Sequence, residues 1–168
     1  MRTQSFPLQC SLKFGIAGMT DTQVQESHRR ADSVDSSTAA LLVVDDNQDA
    51  AQTLTRLLKV LGFRASAAFS GEAALEVIKE EAPALVFLDL GMPTMDGVET
   101  ARRIRQIPEG QKISLVALTG LGREEDLART RAVGFDAHLV KPVNLTQLQE
   151  TLGRFLGAEA TSKFPPQS

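Results

Sequence analysis

Five short apolar runs, each separated from the next by a helical pattern, constrain this chain more than any other feature. The runs cover residues 41–44, 63–68, 84–88, 113–118 and 137–140. Each has the length of a strand and is bounded by polar or turn residues. Between them Ala50, Leu54, Leu57, Leu58 and Leu61 repeat at helical spacing, and Gly62 stops that helix. Ser70 is placed to cap a second helix carrying Ala74, Leu75 and Ile78, which ends before Pro83. Val98, Ala101, Ile104 and Arg105 mark a third. Glu124, Glu125 and Asp126 crowd the first turn of a fourth, where the helix dipole favours anions. Leu145, Leu148, Leu152, Phe155 and Leu156 make a fifth, closed by Gly157. Strict alternation of strand and helix implies a parallel sheet with helices on both faces. The first, third and fourth runs are almost wholly apolar, as strands buried on both faces require.

Composition narrows the function classes. Apolar residues make up 42% of the 168 and Trp and Tyr are absent, so the core has to be aliphatic with some Phe. A net charge of −3 gives no support for general nucleic-acid binding, which needs a clustered basic face. The lone Cys10 forms no internal disulfide and has no Cys or His neighbours for a zinc site, which fits a reducing cytoplasm. No stretch reaches the roughly 18 apolar residues of a membrane span. Residues 1–38 read as a disordered polar tail, interrupted by Gln4, Gln9, Ser11 and Lys13 where a leader would be apolar, and Met19 is an alternative start. The folded part is expected over 39–157, with a second disordered tail over 158–168.

Ligands of an open parallel sheet bind beyond the carboxyl ends of its strands. Here those ends carry Asp45-Asp46, Asp89, Thr119 and Lys141-Pro142. Each has an ordinary reading on its own: an acidic pair or a lone Asp as a helix cap, Thr119 as a turn residue, Lys-Pro as a loop. Their coincidence at successive strand ends points to one site. Three carboxylates brought together repel one another, and a hard divalent ion relieves the repulsion. Mg2+ prefers oxygen ligands and leaves room for water and phosphate oxygens. An Asp carboxylate can serve as the nucleophile in phosphoryl transfer, and a metal, an ammonium and a hydroxyl suit the charge spread over the transferring group.

The motifs Leu-Leu-Val-Val-Asp-Asp-Asn (41–47), Leu-Asp-Leu-Gly-Met-Pro-Thr-Met-Asp-Gly (88–97), Ala-Leu-Thr-Gly (117–120) and Leu-Val-Lys-Pro (139–142) resemble those of the response-regulator receiver domain of two-component signalling. The resemblance runs from about Ala40 to Leu156, and the spacing agrees: 43 residues from Asp46 to Asp89, 30 on to Thr119 and 22 on to Lys141. It implies a flavodoxin-like, doubly wound five-stranded parallel sheet in the order 2-1-3-4-5. It implies Asp89 as phosphoacceptor, with Asp45, Asp46, Asp89 and the backbone carbonyl of Gly91 around Mg2+, for which Mn2+ can substitute. Thr119 becomes the switch hydroxyl and Lys141 the phosphoryl contact, and the peptide before Pro142 is expected to be cis. His138 falls at the family's aromatic switch position; its competing reading is an exposed histidine on the fifth strand. The segment from Asp89 through Leu121-Gly122 to His138 looks most like receivers of hybrid histidine kinases.

Two other folds for such residues fit less well. A haloacid-dehalogenase-type phosphatase carries its Asp nucleophile on the first strand, with a second Asp two residues later. A dinucleotide-binding domain needs a Gly-rich turn after the first strand. Only 13 residues follow Phe155, too few for an effector domain, so output is expected to pass through partners. The chain is then a stand-alone regulator taking phosphate from a histidine kinase or phosphotransfer protein, or a relay intermediate or detached hybrid receiver passing it on. It is not expected to be an enzyme beyond slow self-dephosphorylation. A monomer is expected, or a weak phosphorylation-dependent dimer through the fourth helix, fifth strand and fifth helix.

Overall fold

The computed structural model describes residues 39–120 and 124–157. The tails expected at 1–38 and 158–168, and Leu121-Gly122, lie outside the described residues. In chain order the elements are β1 (Ala40–Val44), α1 (Gln48–Val60), β2 (Arg64–Ala68), α2 (Gly71–Glu81), β3 (Leu85–Asp89), α3 (Gly97–Gln106), a 3-10 turn (Glu109–Gln111), β4 (Ser114–Thr119), α4 (Glu124–Ala132), β5 (Ala137–Val140) and α5 (Leu145–Leu156). The five strands form one parallel sheet in the order β2-β1-β3-β4-β5. This is the flavodoxin-like order that the family resemblance implies. None of the described helices is long and apolar enough to cross a membrane.

The period of two along a strand divides the core. Leu41, Val43, Leu85, Phe87, Val116 and Leu118 face one side, where α1 (Leu54, Leu58) and α5 (Leu148, Leu152) cover them. Leu42, Val44, Val86, Leu88, Leu115 and Ala117 face the other, against α2 (Ala74, Ile78) and α3 (Ala101, Ile104). The three central strands are therefore apolar at nearly every position because both faces are covered.

Side-chain caps set where the helices begin. Asn47 Oδ1 accepts from the amides of Asp49 and Ala50 at the start of α1. Ser70, Asp96 and Asn144 do the same for α2, α3 and α5. Gly62, at φ 86°, takes the left-handed conformation that ends α1. One register expectation is corrected: Ala51, not Ala50, lies in the buried stripe of α1, and Leu57 and Leu61 are only partly buried. With Leu54 and Leu58 as the fixed points of the stripe, Ala51 stands three residues before Leu54, whereas Ala50 lies toward the solvent side.

Arg105, expected only as part of the helical pattern of α3, is a staple between distant segments. Its guanidinium donates to the carbonyls of Gly110 (2.7 Å), Ile113 (2.7 Å) and Gly134 (2.6 Å), and pairs with Asp136 (3.0 Å). Asp136 Oδ2 also accepts from the Leu115 amide at 2.8 Å. One planar fork thus ties α3 to the 3-10 turn, the start of β4 and the α4–β5 loop. A lysine ammonium is a point charge that cannot span the same set of acceptors. Arg105→Lys is expected to lower stability by about 2 kcal/mol, read as a lower urea midpoint with an unchanged m value.

Candidate functional site

Register brings the chemistry together. Val44 pairs with Leu88, Asp89 with Leu118 and Thr119 with Val140. Asp45 follows Val44 and Lys141 follows Val140, so four neighbouring strands deliver Asp45, Asp89, Thr119 and Lys141 to one edge. Adjacent strands lie about 4.8 Å apart, close enough for side chains from neighbouring strand ends to meet.

They do meet. Asp45 and Asp89 are buried and Asp46 is exposed, and each of the three offers a carboxylate oxygen within 4.8 Å of the others. Lys141 Nζ lies 2.6 Å from Asp45 Oδ2 and 3.0 Å from Asp89 Oδ2. The second oxygen of each buried acid is held by the backbone: Asp45 Oδ1 accepts from the Asn47 amide (2.9 Å), and Asp89 Oδ1 from the Gly91 amide (3.2 Å). Burial alone would lower the Lys141 pKa, but its bonds to Asp45 and Asp89 outweigh that and hold it above the ordinary 10.5. The ammonium is therefore fully charged at neutral pH. Thr119 is buried at the end of β4, and its carbonyl accepts from the Lys141 amide at 2.8 Å. The Lys141–Pro142 peptide is cis, as expected.

The donor set fits a hard divalent cation: three carboxylates, all oxygen, on converging strand ends. Gly91 is exposed, and a Cβ built there would lie 3.8 Å from both oxygens of Asp89. A methyl group there would sit in ordinary contact with the carboxylate. Gly97 is more tightly constrained. A Cβ there would come within 2.2 Å of the Asp89 carbonyl oxygen, so the first turn of α3 rests directly on the backbone of Asp89. In the sequence Asp96-Gly97 looks only like a turn; the contact behind it depends on how α3 returns to the sheet.

His138 stands apart from this cluster. Its ring is half-buried, and Nε2 is hydrogen-bonded with Oγ1 of Thr130, a fully buried residue of α4. The ring of Phe135 lies 6.4 Å away. His138 opens onto a groove between β5 and α5 that Arg131, Glu150, Thr151 and Arg154 also line. Thr130 is not among the residues that sequence patterning singles out. A threonine among the arginines of α4 is the only signal, and it is weak because threonines also occur on solvated helix faces.

Comparison with known proteins settles the family. The model of the response regulator receiver domain matches residues 41–153. The chain belongs to the response regulator receiver domain family. It is 34% identical over 128 residues to a 14.6 kDa protein of the sodA1 3' region of Leptolyngbya boryana, covering 76% of this chain and 94% of that one. It is 37% identical over 117 residues to the hybrid signal transduction protein dokA of Dictyostelium discoideum, covering 69% of this chain and 7% of that one. The chain spans about half the length of the transcriptional regulators TctD of Salmonella typhimurium and PhoB of Rhizobium meliloti. Among solved structures, chemotaxis protein CheY4 of Vibrio cholerae superposes with a TM-score of 0.68 at 29% identity, over 71% of this chain and 99% of that one. The receiver domain of sensor histidine kinase PA1611 of Pseudomonas aeruginosa, with a magnesium ion coordinated in its active site cleft, gives 0.66 at 25% identity, over 71% and 98%. A chain from the complex of the Saccharomyces cerevisiae phosphotransfer protein Ypd1 with the receiver domain of Ssk1 gives 0.67 at 26%, over 73% and 92%.

In this receiver, burial first and the Arg131 charge second hold the His138 pKa below its ordinary 6.5. The neutral ring contributes stability that falls as pH drops from 6.5 toward the folded-state value, because the unfolded chain binds the proton more readily over that window. The ring signals followed by NMR are expected to titrate below 6.5 and to move toward it in Arg131→Gln. His138→Gln assigns the signal against that of His28.

Proposed function

We propose that this receiver accepts a phosphoryl group on Asp89 and signals by changing its affinity for partners. The observation that carries this reading is the convergence of Asp45, Asp46 and Asp89 on the Lys141 ammonium at one sheet edge. An Asp89 oxygen attacks the phosphorus of a phosphohistidine donor. The P–O bond forms as the P–N bond breaks, and the donor imidazole leaves. Lys141 Nζ, already shared between Asp45 and Asp89, is one short step from a phosphoryl oxygen on Asp89. The Thr119 hydroxyl supplies a second contact, and the buried Asp45 keeps the lysine in place. Mg2+ (or Mn2+), held by Asp45, Asp46, Asp89 and the Gly91 carbonyl, would supply positive charge to offset that of the transferring group.

The donor in this reading is a histidine kinase or a histidine phosphotransfer protein. An apolar groove of about 490 Å³ supports it: Ala50, Leu54 and Leu57 of α1 with Pro142 and Val143 lead directly to Asp45 and Lys141. The output face is the groove around His138, with His138 as the switch residue, and any phosphorylation-dependent dimer forms through α4, β5 and α5. The reading places the protein in the cytoplasm, without enzymatic turnover beyond slow self-dephosphorylation. A relay role, passing the phosphoryl group on to another histidine, is the second reading. The 37% identity to a hybrid signal transduction protein favours it.

Labelling with acetyl phosphate tests the acceptor. The wild-type chain is expected to incorporate phosphate only with Mg2+ present, and Asp89→Asn to incorporate none. Wild-type incorporation by Asp89→Asn would sink the assignment. Thr119→Ala is expected to be labelled while losing most of the amide shift changes that a beryllofluoride mimic produces around His138 in the wild type.

A further inference from the structure

We propose that the open edge of β5 takes up an extended acidic segment of a partner protein as an added strand of the sheet. The inference rests on the reading of the groove around His138 as the output face and does not depend on which residue accepts phosphate.

β5 pairs with β4 on one side and, among the described residues, with no strand on the other. Alternate residues of a parallel strand bond to opposite sides. The Lys141 amide donates to the Thr119 carbonyl at 2.8 Å, so Ala137 and Leu139 also turn their amides toward β4. The amides and carbonyls of His138 and Val140 then face outward. The groove beside β5 has a volume of about 700 Å³ and is lined by Ala137, His138 and Leu139 in succession. Successive side chains of a strand point to opposite faces. A groove that touches all three therefore runs along the strand edge and exposes backbone as well as side chains. An open edge is a template for a further strand, and an extended peptide that adds there gains main-chain hydrogen bonds. Lys141-Pro142 follows β5 directly, so the paired length is limited to the 4 residues of that strand.

The walls of the groove select the charge. Helices run opposite to the strands here, so the last turns of α4 and α5 lie at the end of the groove where β5 begins. Those turns carry Arg131 and Arg154, on opposite faces of the sheet. Both arginines are exposed, and neither forms an ion pair among the described residues. Of the two acids in the lining, Asp136 is already held by Arg105 and the Leu115 amide, which leaves Glu150. Two acidic residues at consecutive positions of an added strand point to both faces and so reach both arginines. A second copy of the chain fits less well. Pairing two β5 edges antiparallel lays these arginines beside Lys141 and Pro142 of the other copy, a like charge and a residue without an amide.

The test is titration of the isotope-labelled full chain with the probe peptide acetyl-Thr-Val-Thr-Val-Glu-Glu-amide, followed by amide shifts. Saturable shifts centred on His138 and Val140 are expected, with a Kd on the order of 1 mM or tighter. The same peptide with Lys-Lys for Glu-Glu is expected to bind at least about fivefold more weakly, and so is the wild-type probe to Arg131→Gln/Arg154→Gln. A probe N-methylated at its Thr and Val amides keeps the charge but cannot form the ladder, and is expected to lose at least about tenfold. Equal binding of the N-methylated probe overturns strand addition. Equal binding of the Lys-Lys probe, or by the double variant, overturns the charge selection. Concentration-dependent shifts of the same amides without peptide, with dimers in sedimentation, assign the edge to a second copy and overturn the proposal. The beryllofluoride mimic tests the output reading separately: shifts around His138 with the mimic but none with the probe leave that reading standing and overturn this one.

Discussion

The repulsion among Asp45, Asp46 and Asp89 is the constraint on which the rest of this structure depends. Two of the three acids are buried, and a buried carboxylate is tolerable only with close partners. The fold provides them from two sources, a backbone amide and the Lys141 ammonium for each. The lysine reaches both acids because β5 lies beside β4, and β4 beside β3, in a register that leaves every strand ending within a residue of a common line. The sheet order is thus a condition for the charge balance. With β5 elsewhere, Asp45 and Asp89 would be buried without their cation.

Arg105 solves a related problem by different means. Gly110 lies in the 3-10 turn, Ile113 just before β4 and Gly134 in the α4–β5 loop, so their carbonyls fall outside the α-helices and the sheet ladder. Backbone acceptors in such places need partners. A single guanidinium serves all three and is held in turn by Asp136, which also binds the Leu115 amide. Lysine does the point-charge work at the acidic edge and arginine the planar, multi-acceptor work beside β4, as their chemistries predict.

What was legible in the sequence follows from range. Strand runs and helix starts are local, so the five strands, their parallel arrangement and the caps at Ser70 and Gly62 could be read from spacing, whereas the strand order came from the family resemblance. The site was legible because a parallel sheet places strand ends together, which turns four separate residues into one cluster. The buried face of α1 was read one residue off, since Ala50 and Ala51 are chemically identical and only the sheet beneath decides between them. Arg105 and Thr130 were missed for a stronger reason. Their partners lie 29 residues away (Gly134) and 8 residues away (His138), across segments whose relative placement no local pattern encodes.

β5 carries both ends of the argument. Lys141, just past its end, is bound to the acidic cluster, while His138, three residues earlier, is bound through Thr130 to α4. Between them Leu139 is core and Val140 is exposed. The Lys141 amide is fastened to the Thr119 carbonyl, so the ends of β4 and β5 are coupled at the site. A change in the partners of Lys141 or Thr119 therefore falls on the strand that positions His138. The His138–Thr130 bond attaches α4 to that strand. Under the proposed function, new bonds made by Lys141 and Thr119 at the acidic edge would reach the groove around His138 through this one strand.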